Sequence, residues 1–387
     1  MVEIERGNDR ATIVVAVGFI IALLFHVIQE NISPYVDAWP AAASHTQSMK
    51  AIVYEKLGGD LLFVDHPRPV MKPNQVLVEV KFSALNPIDF KLQRGWVPAF
   101  LVPKPKIPGA DLSGIIVEVG SQVKSIEVGD RVAAMMPLIG ARWGAFADYA
   151  AVDASLVAKL GDNTTFQQAA ALPLVSLIAV QALQNLNTKY QSILIHAGAG
   201  GVGSFAIQYA KQVLKMDLIA ATSSAAKADF LKELGADLVI DYRTENFEDL
   251  VQGYDAVLDT MSWAYEERTL AKGVLKRRGH YLNILSSDWV NDGRERGNGI
   301  QSFLNLVYSK IRNMIMPGHV SKYDLIIVKS NGKQLQSVLD LVDNGTIRSI
   351  IDRIFPLSDA NEACAYLEQG HATGKVLLEH DTKKINM

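Results

Sequence analysis

The longest uncharged run in the chain lies near its start. Residues 11–28, ATIVVAVGFIIALLFHVI, have Thr12 and His26 as their only polar members. As a helix rising about 1.5 Å per residue the run spans roughly 27 Å, close to the ~30 Å hydrocarbon core of a bilayer. We therefore expect an N-terminal hydrophobic helix that inserts in a membrane as a single-pass anchor. Arg6 and Arg10 precede it and no Lys or Arg follows before Lys50, a bias that favours a cytoplasmic N-terminus. A cleaved targeting segment is the rival reading, since Ala41 to Ser44 offers small residues to a peptidase. That site lies farther from the apolar run than a signal peptide places it. Residues 31–48, with Pro34 and Pro40 among small polar side chains, read as a linker. Residues 1–48 are thus a segment of their own.

From Met49 the pattern changes to short runs rich in β-branched and aromatic residues: 49–54, 61–64, 75–82, 113–120, 128–136 and 144–153. Gly58-Gly59 and Pro67, Pro69 and Pro73 punctuate them, which predicts β-strands joined by turns. Residues 165–186 are rich in Ala and Leu and hold no glycine, so they predict helix, with Pro173 at a start or a break. Strand-like and helix-like segments then alternate: 192–198, 202–214, 217–222, 225–235, 237–242, 254–260 and 279–285. Strand, helix, strand at this spacing is the signature of an α/β, doubly wound parallel sheet. Beyond about residue 313 the pattern is mixed, and it closes on the strand-like GKVLLE at 374–379.

Composition narrows the function. Hydrophobic residues make up 49% and charged residues 20% of 387 residues, enough for two well-filled domains. A net charge of -3 gives no reason to expect nucleic acid. The single cysteine, Cys364, rules out an internal disulfide and a Cys-rich zinc site.

The most informative stretch is HAGAGGVGSFAIQYAK, 196–211. Gly198, Gly200 and Gly203 fit the dinucleotide fingerprint and follow an apolar strand directly. The first glycine permits a tight turn, the second lets backbone approach a pyrophosphate, and the third lets helix pack on strand. Ala199, Gly201 and Val202 complete the turn, and the helix opening near Val202 aims free amides at the phosphates. NAD sites place Asp or Glu at the end of the second strand. Here that end reads Ala221-Thr222-Ser223-Ser224. Hydroxyls at Ser223 and Ser224, with Lys227 one helical turn on, suit the 2′-phosphate of NADPH. Taken alone, Lys227 could equally be a solvated helix-face lysine. Tyr242, ending the next strand, adds a donor, and Thr260 and Asn283, in the two strands that follow, complete the candidate cofactor-binding set.

These features combine with SALNPIDFKLQRG (83–95), IPGADLSGIIVEVG (107–120), VGDRV (128–132), AALPLVSLIAVQAL (170–183), LGADLVIDY (234–242) and GHATGKVLLE (370–379). From Met49 onward the chain resembles the medium-chain dehydrogenase/reductase superfamily. Within it, it is most similar to the zinc-free quinone oxidoreductase branch and its chloroplast-envelope members. The resemblance implies a GroES-like β-rich catalytic domain made of residues 49–170 and 313–387. A Rossmann NADP-binding domain, 171–312, is inserted between them, with NADPH in the cleft. Alcohol-oxidising relatives hold a catalytic zinc through a cysteine in the segment matching 83–95 and a His-Glu pair after the glycine matching Gly109. This chain has Asn86 and Ala110-Asp111 there, so no metal is expected. Lys91 falls where relatives place a lysine or tyrosine against the cofactor, and Asn86, at the position of the zinc cysteine, is expected to line the cleft. Tyr149 matches a position that is usually structural. The implied activity is NADPH-dependent hydride transfer to a small-molecule quinone or α,β-unsaturated carbonyl, with the protein stabilising the enolate. No proton donor stands out, which leaves an NADPH-binding scaffold or redox sensor as the alternative. A homodimer is left open. So is the side of the membrane, because an NADPH enzyme would more comfortably face the cytosol, against the bias of Arg6 and Arg10.

Overall fold

Strand β3 (Gln75–Leu85) sets the architecture of the first half, because its run of Val, Leu, Phe and Ala is buried along nearly its whole length. A strand reads this way when neighbours cover both faces. The computed structural model describes residues 47–96, 99–184, 186–261, 265–266, 268–269, 272–284 and 322–381. Within them β1 (Ser48–Val53) and β2 (Leu62–Pro67) form an antiparallel pair. The strands β4 (Asp111–Val119), β5 (Arg131–Met135), β6 (Tyr149–Asp153) and β7 (Val157–Lys159) gather around β3. A seven-residue helix, α1 (Pro87–Gln93), leads out of β3, with Pro87 at its first turn, where a missing amide costs nothing.

The predicted helix over 165–186 is broken at its proline. Helix α2 (Phe166–Ala170) starts on a Thr165/Gln168 capping box, and α3 (Pro173–Leu183) restarts at Pro173. After it come β8 (Ser192–Ile195), α4 (Gly201–Gln212), β9 (Leu218–Ser223), α5 (Ala228–Leu234), β10 (Leu238–Asp241), α6 (Phe247–Leu250), β11 (Tyr254–Asp259), β12 (Leu275–Asn283) and β13 (Lys322–Leu325). The six strands lie in the order β10-β9-β8-β11-β12-β13, all parallel. Numbered from β8, this is the Rossmann order, with its switch point between β8 and β11. The chain then returns through α7 (Gly332–Asp343), β14 (Ile351–Pro356), α8 (Ala360–Glu368) and β15 (Lys375–Glu379). Strand β15 pairs antiparallel with β3, so the catalytic domain is closed by both ends of the described chain.

The expected end of the Rossmann domain at residue 312 falls short, because the sheet takes its sixth strand from Lys322–Leu325. That strand, KYDL, holds no β-branched residue and only Tyr323 favours a strand, so its signal is weak. The apolar run at 11–28, expected as a membrane helix, lies outside the described residues. Among the described residues no helix is long and apolar enough to cross a membrane.

Candidate functional site: a dinucleotide turn against a buried polar cluster

Strand β8 ends one residue before His196, and the glycine-rich turn begins at once. Gly198 donates its amide to Thr222 O at 2.8 Å, tying the turn to β9. A Cβ on Gly203 would lie 2.4 Å from Ala197 O and 2.7 Å from Gly198 Cα, so only glycine lets α4 start there. A Cβ on Gly198 would meet that of Ala221 at 2.8 Å. Gly200 differs: its nearest neighbour would be Ala197 O at 3.4 Å, which leaves an open cradle beside the amides of Gly201, Val202 and Gly203. No acidic residue stands in the first turn of this 12-residue helix to compete for those amides. The turn therefore fits a pyrophosphate. Ala199 faces the other way, its carbonyl accepting the Gly374 amide at 2.9 Å.

Around the end of β9 the structure gathers three of the expected residues. Ser223 and Ser224 are buried, and Tyr242, half exposed, donates its amide to Ser223 O at 3.1 Å. Lys227 reaches across to the catalytic domain, its ammonium donating to His371 O at 2.8 Å and Ala372 O at 3.4 Å. Burial lowers its pKa, the Asp352 carboxylate opposes that shift and the charge of Arg243 adds to it, so an anion and a second cation both act on this corner. Thr260 sits just past β11 and commits its hydroxyl to His196 O at 2.8 Å. Asn283 ends β12 opposite Asp259. Both lie at the carboxyl ends of strands next to the switch point, where open α/β sheets bind ligands.

Asn86 and Lys91 ride on the same helix, and Asn86 is the one tied to the glycine turn. It is the N-cap of α1, and Asp89 accepts its amide at 2.8 Å. Its side chain donates to Asp111 Oδ2 at 3.0 Å and accepts from the Lys375 ammonium. Lys375 also donates to Leu85 O at 2.8 Å and to Asp111 Oδ2 at 3.2 Å, while Asp111 Oδ1 accepts the Leu174 amide at 2.8 Å. Burial raises the Asp111 pKa, against the pull of Lys375 and the donors around it. The Cδ of Lys375 lies 3.0 Å from where a Cβ on Gly201 would stand, so this cluster abuts the dinucleotide turn. Lys91 is buried, and burial alone lowers its ammonium pKa to about 8.

The zinc of alcohol-oxidising relatives does not fit here. An ammonium occupies the centre of the cluster, and Asp111 spends both oxygens on protein donors. A divalent cation would meet repulsion and an amide in place of a thiolate. Among the described residues no three His, Cys, Asp or Glu side chains converge on a point. Sequence reasoning passed over Lys375 and Asp89. The one signal for Lys375 was a charge set between Gly374 and an apolar Val-Leu-Leu run.

A six-stranded Rossmann sheet set into a GroES-like β domain, with no zinc set at the cleft, defines a nicotinamide-cofactor oxidoreductase of the medium-chain type. Residues 72–162 match the alcohol dehydrogenase GroES-like domain family, and residues 234–378 match the zinc-binding dehydrogenase family. The NADPH-dependent alkenal/one oxidoreductase of Arabidopsis thaliana chloroplasts is 36% identical, covering 87% of this chain and 81% of its own. The chloroplast envelope quinone oxidoreductase homolog of the same plant is 32% identical over 86% of this chain and 98% of its own. The solved quinone oxidoreductase of Coxiella burnetii superposes with a TM-score of 0.73 at 30% identity, covering 86% of this chain and 99% of its own. The chain belongs to the medium-chain dehydrogenase/reductase superfamily, in its quinone oxidoreductase branch.

Proposed function

We propose that this protein is a zinc-independent oxidoreductase that uses NADPH to reduce quinones or α,β-unsaturated carbonyls. The observation that carries the reading is the meeting of an open pyrophosphate cradle at Gly200 with a buried cluster whose cation is Lys375. NADPH, when bound, supplies the hydride. The chain's own residues hold it: amides of Gly201 to Gly203 at the pyrophosphate, and Ser223, Ser224, Lys227 and Tyr242 at the 2′-phosphate. Lys91 and Asn86 line the cleft toward the nicotinamide, and a fixed positive charge at Lys375 favours negative charge developing on a substrate oxygen.

Cofactor choice tests this. NADPH should bind much more tightly than NADH, and Lys227→Ala or Ser223→Asp should narrow the gap. Losing charge-assisted bonds to the 2′-phosphate costs about 1.5–3 kcal/mol, roughly ten- to a hundredfold in affinity. Equal wild-type affinity for the two cofactors would sink the assignment. NADPH binding without turnover of any quinone, enal or enone would instead favour a scaffold.

Residues 11–28 make the enzyme a membrane-tethered one in this reading. Full-length protein should stay in the membrane pellet through alkaline carbonate washing, whereas a chain starting at Met49 should be soluble and fully active. Release by carbonate, or a mature N-terminus near Ser44, would count against the anchor.

A further inference from the structure

We propose that the Thr222 hydroxyl, aimed by the His196 ring, is the positioning group that sets the pyrophosphate turn and thereby the affinity for either nicotinamide cofactor. The inference rests on the cofactor reading above. It names a residue that the candidate set passed over in favour of its neighbours Ser223 and Ser224.

Strand β8 stops at Ile195, yet the next three residues stay clamped between β11 and β9, the two strands that flank it. On the β11 side, Leu258 O accepts the His196 amide at 3.0 Å and the Thr260 hydroxyl donates to His196 O at 2.8 Å. On the β9 side, Thr222 does the holding. Its hydroxyl oxygen accepts the Ala197 amide at 3.1 Å, and its carbonyl accepts the Gly198 amide at 2.8 Å. One residue thus grips two successive amides of the turn.

Ala197 is the residue that needs gripping. Its φ is +50°, in the left-handed region, which a residue with a Cβ enters only where its surroundings compel it. The start of α4 depends on that conformation. Ala197 O accepts the Gly200 amide at 3.0 Å, and a Cβ on Gly203 would lie 2.4 Å from the same oxygen. Relaxing Ala197 to a negative φ would swing this carbonyl and carry the amides of Gly201 to Gly203 away from the cradle.

His196 fixes the hydroxyl that does this. The ring is fully buried and packs at a steep angle against Phe247 and Tyr265, with centroids 4.7 and 4.8 Å away. Its Nδ1 lies 3.3 Å from the Thr222 hydroxyl oxygen. That oxygen already accepts from Ala197, which leaves its single proton for the ring. A neutral imidazole protonated on Nε2 has a lone pair on Nδ1 to receive it. Burial, with the charge of Arg268 adding to it, lowers the His196 pKa to about 3, so the ring is neutral. Thr222 is 2% exposed, and water does not compete for its hydroxyl.

The test measures NADPH and NADH binding by calorimetry, with melting temperatures alongside, in wild type, Thr222→Val, Thr222→Ser and the double variant Thr222→Val/Ala197→Gly. Valine keeps the shape and favours strands, so the single variant is expected to fold. It should weaken NADPH and NADH alike by about tenfold, because the pyrophosphate is common to both, and leave the preference between them unchanged. Thr222→Ser keeps the hydroxyl and should bind both as wild type does. Glycine adopts a positive φ without a clamp, so adding Ala197→Gly should return the valine variant to within about threefold of wild type. A hydroxyl that served stability alone would give no such rescue of binding. In 15N NMR spectra His196 should carry its proton on Nε2. Wild-type affinity in Thr222→Val, a loss confined to NADPH, a double variant no better than the single, or a proton on His196 Nδ1 would each overturn the inference. If Thr222→Val does not fold, the double variant decides by the same limit. A wild type that binds neither nucleotide sinks the cofactor reading beneath it instead.

Discussion

A lysine ammonium shut away from water needs its charge answered nearby, and Lys375 finds Asp111 at 3.2 Å with both partners almost fully buried. Such a pair adds little net stability over an apolar one, but removing one partner leaves an uncompensated charge. Lys375→Met should therefore cost about 3–5 kcal/mol in urea unfolding, and adding Asp111→Asn to it should recover part of the loss. Equal stability of the single and double variants would mean that Asp111 is already neutral in the fold. Only half of this pair was legible beforehand. Asn86 and Asp111 stood out because they replace zinc ligands in a known motif. Lys375 did not, because its partner lies 264 residues away and no spacing rule spans that distance.

At the scale of elements, the alternating part of the chain read well, because βαβ units carry their signal locally. Helix α4 and strands β8 to β11 fall close to their predicted spans. The deviations have physical causes. Strand β12 starts at Leu275, before the predicted 279, because Leu275 pairs with Tyr254 and the exposed, charged Lys276 to Arg278 stretch falls in a register shift before pairing resumes at His280. The glycine turn separates folding from binding within one motif. Gly200→Ala adds a Cβ with room to spare in the protein, so the melting temperature should hold while NADPH affinity falls about tenfold as the cradle fills. Gly203→Val drives its Cβ against Ala197 O and should abolish binding by pushing α4 off its strand. Calorimetry with NADPH checks both, and normal affinity in Gly203→Val would place the phosphate site elsewhere.

For the molecule as a whole, the cofactor turn is also a point of contact between domains. Gly374 donates to Ala199 O at 2.9 Å and bridges in parallel to Gly200, Lys227 reaches His371 O and Ala372 O, and Gln208 pairs with the Arg348 backbone at 2.9 and 3.1 Å. The catalytic domain thus grips the Rossmann domain beside the turn proposed to hold the pyrophosphate, so stability and cofactor affinity should fail together when the grip is loosened. Gly374 is the place to loosen it. Its φ of +83° is strained for any residue with a Cβ, and that Cβ would lie 2.3 Å from Ile350 O. Gly345 is the control, since its φ of +77° carries the same backbone strain but a Cβ there meets nothing within 4 Å. Gly345→Ala should cost about 1–2 kcal/mol and leave NADPH affinity untouched. Gly374→Ala should cost clearly more, because Ile350 or β15 must shift, and it should weaken NADPH binding in the same protein sample. Thermal unfolding with and without NADPH measures both quantities at once. If Gly374→Ala loses no more stability than Gly345→Ala and is equally protected by NADPH, the two domains hold the cofactor independently and the contact at Ala199 is incidental.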